Sequence, residues 1–113
     1  GRLQNLGLKY YKQKKFKLAE ICFRNVLTVY SNSNSIDINN LALSLIRQNK
    51  NDEAEDLLLK ELTGRITADT FYNLSLVYKN KGDVENELNY LTKSNNLVES
   101  DFKTKRIKYL KLK

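Results

Sequence analysis

Histidine, tryptophan, methionine and proline are absent from this chain of 113 residues, and cysteine occurs once. Zinc sites draw on several Cys or His ligands, and Ser or Cys nucleophiles rely on an imidazole base, so both chemistries lack their usual groups. One thiol cannot form an internal disulfide and says little about the redox compartment. No apolar run approaches the roughly 18 residues needed to span a bilayer. Glycine is scarce, with four in the chain, and no Gly-rich loop that would cradle a phosphate occurs. Without a methionine, the chain reads as a processed form or a piece of a longer protein.

What is present describes an ordinary globular domain. Hydrophobic residues make up 41% and charged residues 29%, outside the range of a disordered tail. The length allows one domain, residues 1–113, with roughly two thirds of the unfolded chain's surface available for burial. Asparagine is unusually frequent, with 14 in the chain, a bias that an AT-rich genome would produce without functional meaning.

A shift of about 34 residues brings three segments into register: residues 1–34, 35–67 and 68–101. Leu3, Ile38 and Phe71 correspond, followed by Leu6, Leu41 and Leu74. Next in each copy stands a small residue, Gly7, Ala42 or Ser75, and then Tyr10, Leu45 or Tyr78. The second halves carry Ala19, Ala54 and Glu87, then Phe23, Leu58 and Leu91. Apolar positions within each half follow helical spacing, as in Leu18, Phe23, Val26 and Leu27. Asp52 and Asp83 stand at starts of second helices, and Gly64 and Gly82 at helix ends. The spacing predicts first helices at about 2–13, 36–48 and 69–80, and second helices at about 17–30, 52–62 and 84–98.

This pattern resembles the tetratricopeptide repeat. The resemblance covers about residues 1–98. The first copy matches best, through Leu3, Leu6, Gly7, Tyr10, Phe16, Ala19 and Phe23. Two positions depart from it: Asn51 replaces a large residue near the start of the second helix of copy two, and Glu87 replaces the small residue of copy three. The resemblance implies an all-α, right-handed α-solenoid of three helix-turn-helix repeats. Residues 101–113 fit one more helix with Phe102, Ile107 and Leu110 as apolar contacts, either capping the last repeat or beginning a fourth. Glu87 is either exposed on a frayed last repeat or held by Lys103, Lys105 or Arg106.

In such a solenoid the first helices line a concave groove. The resemblance places there Gln4, Asn5, Leu8, Tyr11 and Lys12 from copy one, and Asn39, Asn40, Leu43, Ile46 and Arg47 from copy two. Copy three adds Tyr72, Asn73, Leu76, Lys79 and Asn80. Two ladders run through this set. Asn5, Asn40 and Asn73 provide one carboxamide per repeat, able to donate and accept toward a peptide backbone; an Asn-rich chain also produces such a row by composition. Leu8, Leu43 and Leu76 form an apolar stripe that either faces a ligand or packs between repeats. Relatives that clamp the acidic C-terminus of heat-shock chaperones carry two Lys, an Arg and two Asn in the groove. The matching positions here hold Gln4, Leu8, Asn40, Asp69 and Asn73, and only Asn40 fits.

Charge is uneven along the chain: residues 1–30 carry +6, 31–66 carry −2, 67–100 carry −2 and 101–113 carry +5, within a formal net of +7. The acidic middle interrupts the continuous basic face that nucleic-acid binding uses, and argues against nucleic acid and membrane partners. Asp52, Glu53, Glu55 and Asp56 match no calcium loop and suit the first turn of a helix. Cys22, beside Phe23, reads as an inert packed thiol. The residues therefore point to a non-enzymatic module without metal or cofactor, docking a peptide or helical segment of another protein in its groove. The alternative is a structural module that self-associates as a homo-oligomer or stacks on further repeats. No pattern addresses a compartment, the cytoplasm being slightly favoured.

Overall fold

The computed structural model describes residues 1–30 and 34–113. Among these residues seven helices follow one another: α1 (Arg2–Lys12), α2 (Phe16–Val29), α3 (Ser35–Arg47), α4 (Asn51–Leu62), α5 (Ala68–Lys81), α6 (Val84–Leu97) and α7 (Asp101–Lys111). No strand occurs among the described residues. The six repeat helices end within a residue of the positions expected from periodicity, and α7 stops two residues before the chain end. Residues 31–33, assigned from the sequence to the first copy, lie outside the described residues.

Each helix packs on its neighbour in sequence, and α3 also packs on α5. Helices thus form antiparallel pairs that stack one after another, giving a body of 44 × 28 × 25 Å. The small residues of the repeat lie where paired helices approach. Ala19, Ala42 and Ala54 are fully buried, Ser75 nearly so. At Gly7 a side chain would collide with the core: a Cβ there would stand 2.5 Å from Phe23 Cε1. Phe23 in turn belongs to a core of Ala19, Leu41, Ala42, Leu45, Ile46, Ala54, Leu58, Leu74 and Val77, drawn from all three repeats.

The turn within each pair is the same turn three times. Lys14, Asn49 and Gly82 have φ of 60°, 60° and 73°. The next amide donates back across the turn, Lys15 N to Tyr10 O, Lys50 N to Leu45 O and Asp83 N to Tyr78 O, at 2.9, 2.9 and 3.0 Å. This is the Schellman closure, which satisfies carbonyls left over at a helix C-terminus and favours glycine at its left-handed position. Side-chain caps follow a different rhythm. Asn34, Thr67 and Asp83 each accept from the amide three residues on. By contrast, α2 and α4 begin after Lys15 and Lys50 with no side-chain cap, and Asp52 lies in the first turn of α4.

The structure decides the two alternatives at the C-terminal end. Glu87 is 4% exposed and receives two bonds from Arg106, from Nε at 2.8 Å and Nη2 at 3.1 Å. The frayed, exposed Glu87 is therefore excluded, and Arg106 is the partner rather than Lys103 or Lys105. Lys103 is itself buried and donates to Ser94 Oγ at 3.0 Å and to Val98 O at 2.5 Å, placing an ammonium at the negative end of α6. Leu110 is buried against this end of the stack, and α7 covers α6. Phe102, expected as an apolar contact of this helix, meets Tyr72 of α5 edge-on while remaining 58% exposed.

Candidate partner-binding groove

The first helices α1, α3 and α5 meet around a concavity of about 380 Å³. Eight residues expected in the groove line it: Tyr11, Asn39, Asn40, Leu43, Arg47, Tyr72, Asn73 and Leu76. Leu8 joins Tyr11, Asn40, Leu43 and Phe23 around a smaller cleft beside it. Lys12 borders an adjoining depression with Tyr11, Lys14, Phe16 and Arg47, and Lys79 borders another with Arg47, Leu76 and Asn80. Asn5 is exposed but does not line the main concavity. Ile46, placed in the groove by its position in the repeat, is 3% exposed and belongs to the core.

The apolar stripe survives in three dimensions. Leu8 is exposed on its outer side, Leu43 and Leu76 are half-buried, and all three reach concave surface. Rings complete it. Tyr72 meets Phe102 edge-on with centroids 5.4 Å apart, and Tyr11 meets Phe16 in the same manner at 5.2 Å. Arg47 Nε donates to the Tyr11 hydroxyl at 2.9 Å, bridging copies one and two along the lip. Burial pushes the Tyr72 hydroxyl above the ordinary tyrosine pKa.

The carboxamide row does not survive as an even ladder. Asn73 is 3% and Asn39 5% exposed, and Asn73 Nδ2 donates to Asn39 Oδ1 at 2.7 Å. Asn39 Nδ2 continues to Thr70 Oγ1 at 3.0 Å and to Ser35 O at 2.8 Å. These two amides join α3 to α5; Asn39 has both N–H groups engaged, whereas Asn73 spends one and still lines the concavity. Asn40, half-buried, has no side-chain hydrogen bond among the described residues and lines the concavity.

Two lining residues escaped the sequence reading, Ile36 and Phe102. Ile36 had a weak signal, as an apolar residue in the first turn of α3 that the core does not cover. Phe102 had none, since only the docking of α7 turns it toward Tyr72. Asp69, noted above as a misfit to the chaperone clamp, brings a carboxylate to the same wall.

Two models of the tetratricopeptide repeat match the chain, one over residues 38–65 and one over residues 68–97, together just over half of its length. No curated protein sequence matches it. Among solved structures, a complex of the TPR2AB domain of yeast Sti1 with pHSP90 superposes with a TM-score of 0.82 at 16% identity, over 97% of this chain and 45% of that one. The N-terminal domain of stress-induced protein-1 (STI-1) from C. elegans superposes with a TM-score of 0.74 at 19% identity, over 97% of this chain and 92% of that one. The chain thus spans less than half of the yeast chain, and at these identities the likeness is one of fold. With two repeats matched in sequence, a third in the same geometry and the whole stack superposing on solenoids of this type, the chain belongs to the tetratricopeptide repeat family.

Proposed function

We propose that this chain is a non-enzymatic protein-interaction module that docks a segment of a partner protein in its concave groove. One observation carries the reading: Tyr11, Leu43, Tyr72, Leu76 and Phe102 surround an open concavity beside the unbonded carboxamide of Asn40. An apolar floor with a few directed polar groups is the usual make-up of a ligand site. The partner in the yeast Sti1 complex is not carried over, because Gln4, Leu8 and Asp69 stand where clamp-bearing relatives hold other side chains. The test is capture of partners from lysate by the wild-type chain and by a Leu43→Gln, Leu76→Gln variant of matched helicity. Loss of one partner with the variant supports groove docking, whereas equal capture by both overturns it.

A second reading, self-association or stacking on further repeats, rests on α2. Leu18, Ile21 and Val29 lie on one helical face and are exposed, as are Leu6 on α1 and Tyr30. Sedimentation at rising concentration separates the two: a monomer with an intact groove favours docking, and a dimer abolished by Ile21→Gln favours assembly.

A further inference from the structure

The lip of the groove is cationic, and its cations are unpaired. Lys12, Arg47 and Lys79 each lie in or at the last turn of their helices, α1, α3 and α5, and Lys14 follows in the first turn between helices. Among the described residues none of the four has an ion pair, and Asp69 alone brings a carboxylate to the depressions around Arg47. Arg47 borders three of the depressions along the concave side. Its Nε donates to the Tyr11 hydroxyl, which orients the guanidinium and leaves both terminal nitrogens to donate side by side to a carboxylate.

The negative charge of the repeats lies elsewhere. Helix α4 holds Asp52, Glu53, Glu55, Asp56 and Glu61 against one Lys, and none of these borders the groove depressions. Within the groove Asp69 is an exposed carboxylate, and Glu87 is neutralised by Arg106. The helix dipole stabilises cations at these helix ends, but it does not require that carboxylates be withheld from them. Four of the five α4 carboxylates are already paired with Arg24, Arg65 or Lys81, so the concave lip is the face that attracts an acidic partner.

We infer that the segment docked in this groove is acidic, a stretch of chain with one or two large apolar side chains flanked by Asp or Glu. This rests on the groove reading above and goes further by naming the ligand's chemistry. The apolar side chain seats against Tyr72, Leu76 and Phe102. A carboxylate meets Arg47, and others meet Lys12 or Lys79 to either side. These positions are distinct from those that the chaperone clamp uses, so the recognition does not depend on a free C-terminal carboxylate.

The experiment is selection from an unbiased random linear peptide library displayed on phage, followed by fluorescence anisotropy with labelled copies of the enriched sequences. Enriched peptides are expected to carry net negative charge around an apolar residue. Their affinity should fall with added salt, and by at least about tenfold in an Arg47→Gln, Lys79→Gln variant. Phe102→Ala, at an exposed position, should weaken them without loss of helicity. Enriched peptides that are neutral or basic, yet weakened by Leu43→Gln, Leu76→Gln or by Phe102→Ala, overturn the acidic ligand and leave groove docking standing. Acidic peptides that bind the Arg47→Gln, Lys79→Gln variant equally well also overturn it. No enrichment, or binding indifferent to all of these substitutions, overturns both readings.

Discussion

Asn73 and Asn39, 34 residues apart, face each other across the seam between α5 and α3, and the Asn73 carboxamide donates to Asn39 Oδ1 at 2.7 Å. Asn73 corresponds in the repeat to Asn40, so the bond links the first helices of neighbouring copies one position out of register. Removing Asn73 strands a buried acceptor and interrupts the chain of bonds to Thr70, so Asn73→Ala should cost about 1 to 3 kcal/mol in urea unfolding. Asn40→Ala, one residue along and without a partner, should change stability by less than about 0.5 kcal/mol while weakening any groove ligand. Equal costs for the two would contradict this division.

Glu20 sets how copies one and two respond to acid. It is buried, yet receives Arg24 Nε at 2.7 Å, Gln48 Nε2 at 2.9 Å and Lys50 Nζ at 3.0 Å. Burial pushes its carboxyl up, but the hydrogen bonds from Arg24, Lys50 and Gln48 outweigh burial and bring it down to about 2. A depressed carboxylate pKa stabilises the fold above the unfolded value, near 4.5, and that contribution fades as pH falls toward 2. Because Arg24 and Lys50 remain partly in water, Glu20→Gln should cost about 2 kcal/mol at pH 7. The deficit should shrink between pH 4.5 and pH 2 in denaturant titrations. A deficit independent of pH would refute the assignment.

The Arg106 and Glu87 pair should respond unequally to truncation. Arg106→Ala leaves a carboxylate that is 4% exposed without its partner, at a cost of about 2 to 3 kcal/mol. Glu87→Ala restores the small residue that the other repeats carry as Ala19 and Ala54, and frees a guanidinium that already reaches water. Its cost should stay below about 1 kcal/mol. Thermal unfolding of both variants decides, and a reversed order would show that the pair does not hold α7 in place.

The left-handed turns offer a stabilising change. Lys14 adopts φ 60° where Gly82 adopts 73° in the third copy. A side chain in that region is strained by about 1 kcal/mol, and part of the relief is offset by the extra freedom of glycine in the unfolded chain. Lys14→Gly should therefore raise stability by about 0.5 kcal/mol, and Gly82→Ala should lower it by about 1 kcal/mol. Urea midpoints for the two variants should move in opposite directions.

Groove chemistry and fold stability are separable along the lip. Arg47 is exposed and its bond to the Tyr11 hydroxyl lies at the surface. Arg47→Gln should change unfolding free energy by less than about 0.5 kcal/mol, so any loss of ligand binding in that variant reports on recognition. A large destabilisation would instead make Arg47 a structural link between copies one and two.

The sequence by itself determined the repeat. Period, helix ends and the small residues at Gly7, Ala19, Ala42, Ala54 and Ser75 follow from local rules, because each repeat buries the same face against the next and the pattern is written in residue type at fixed spacing. It also placed Leu8, Leu43 and Leu76 at one position of the repeat, but left open whether they face outward or pack between repeats. Only the tertiary structure decided which of two adjacent amides, Asn39 or Asn40, is tied up, since the partners of Asn39, Asn73 and Thr70, come from α5 and depend on how it packs on α3. Only it decided that Arg106 rather than Lys103 or Lys105 neutralises Glu87, and that Phe102 joins Tyr72 at the groove. Those outcomes depend on how α7 docks, and a charge or a ring finds its partner through that three-dimensional geometry rather than through its distance along the chain.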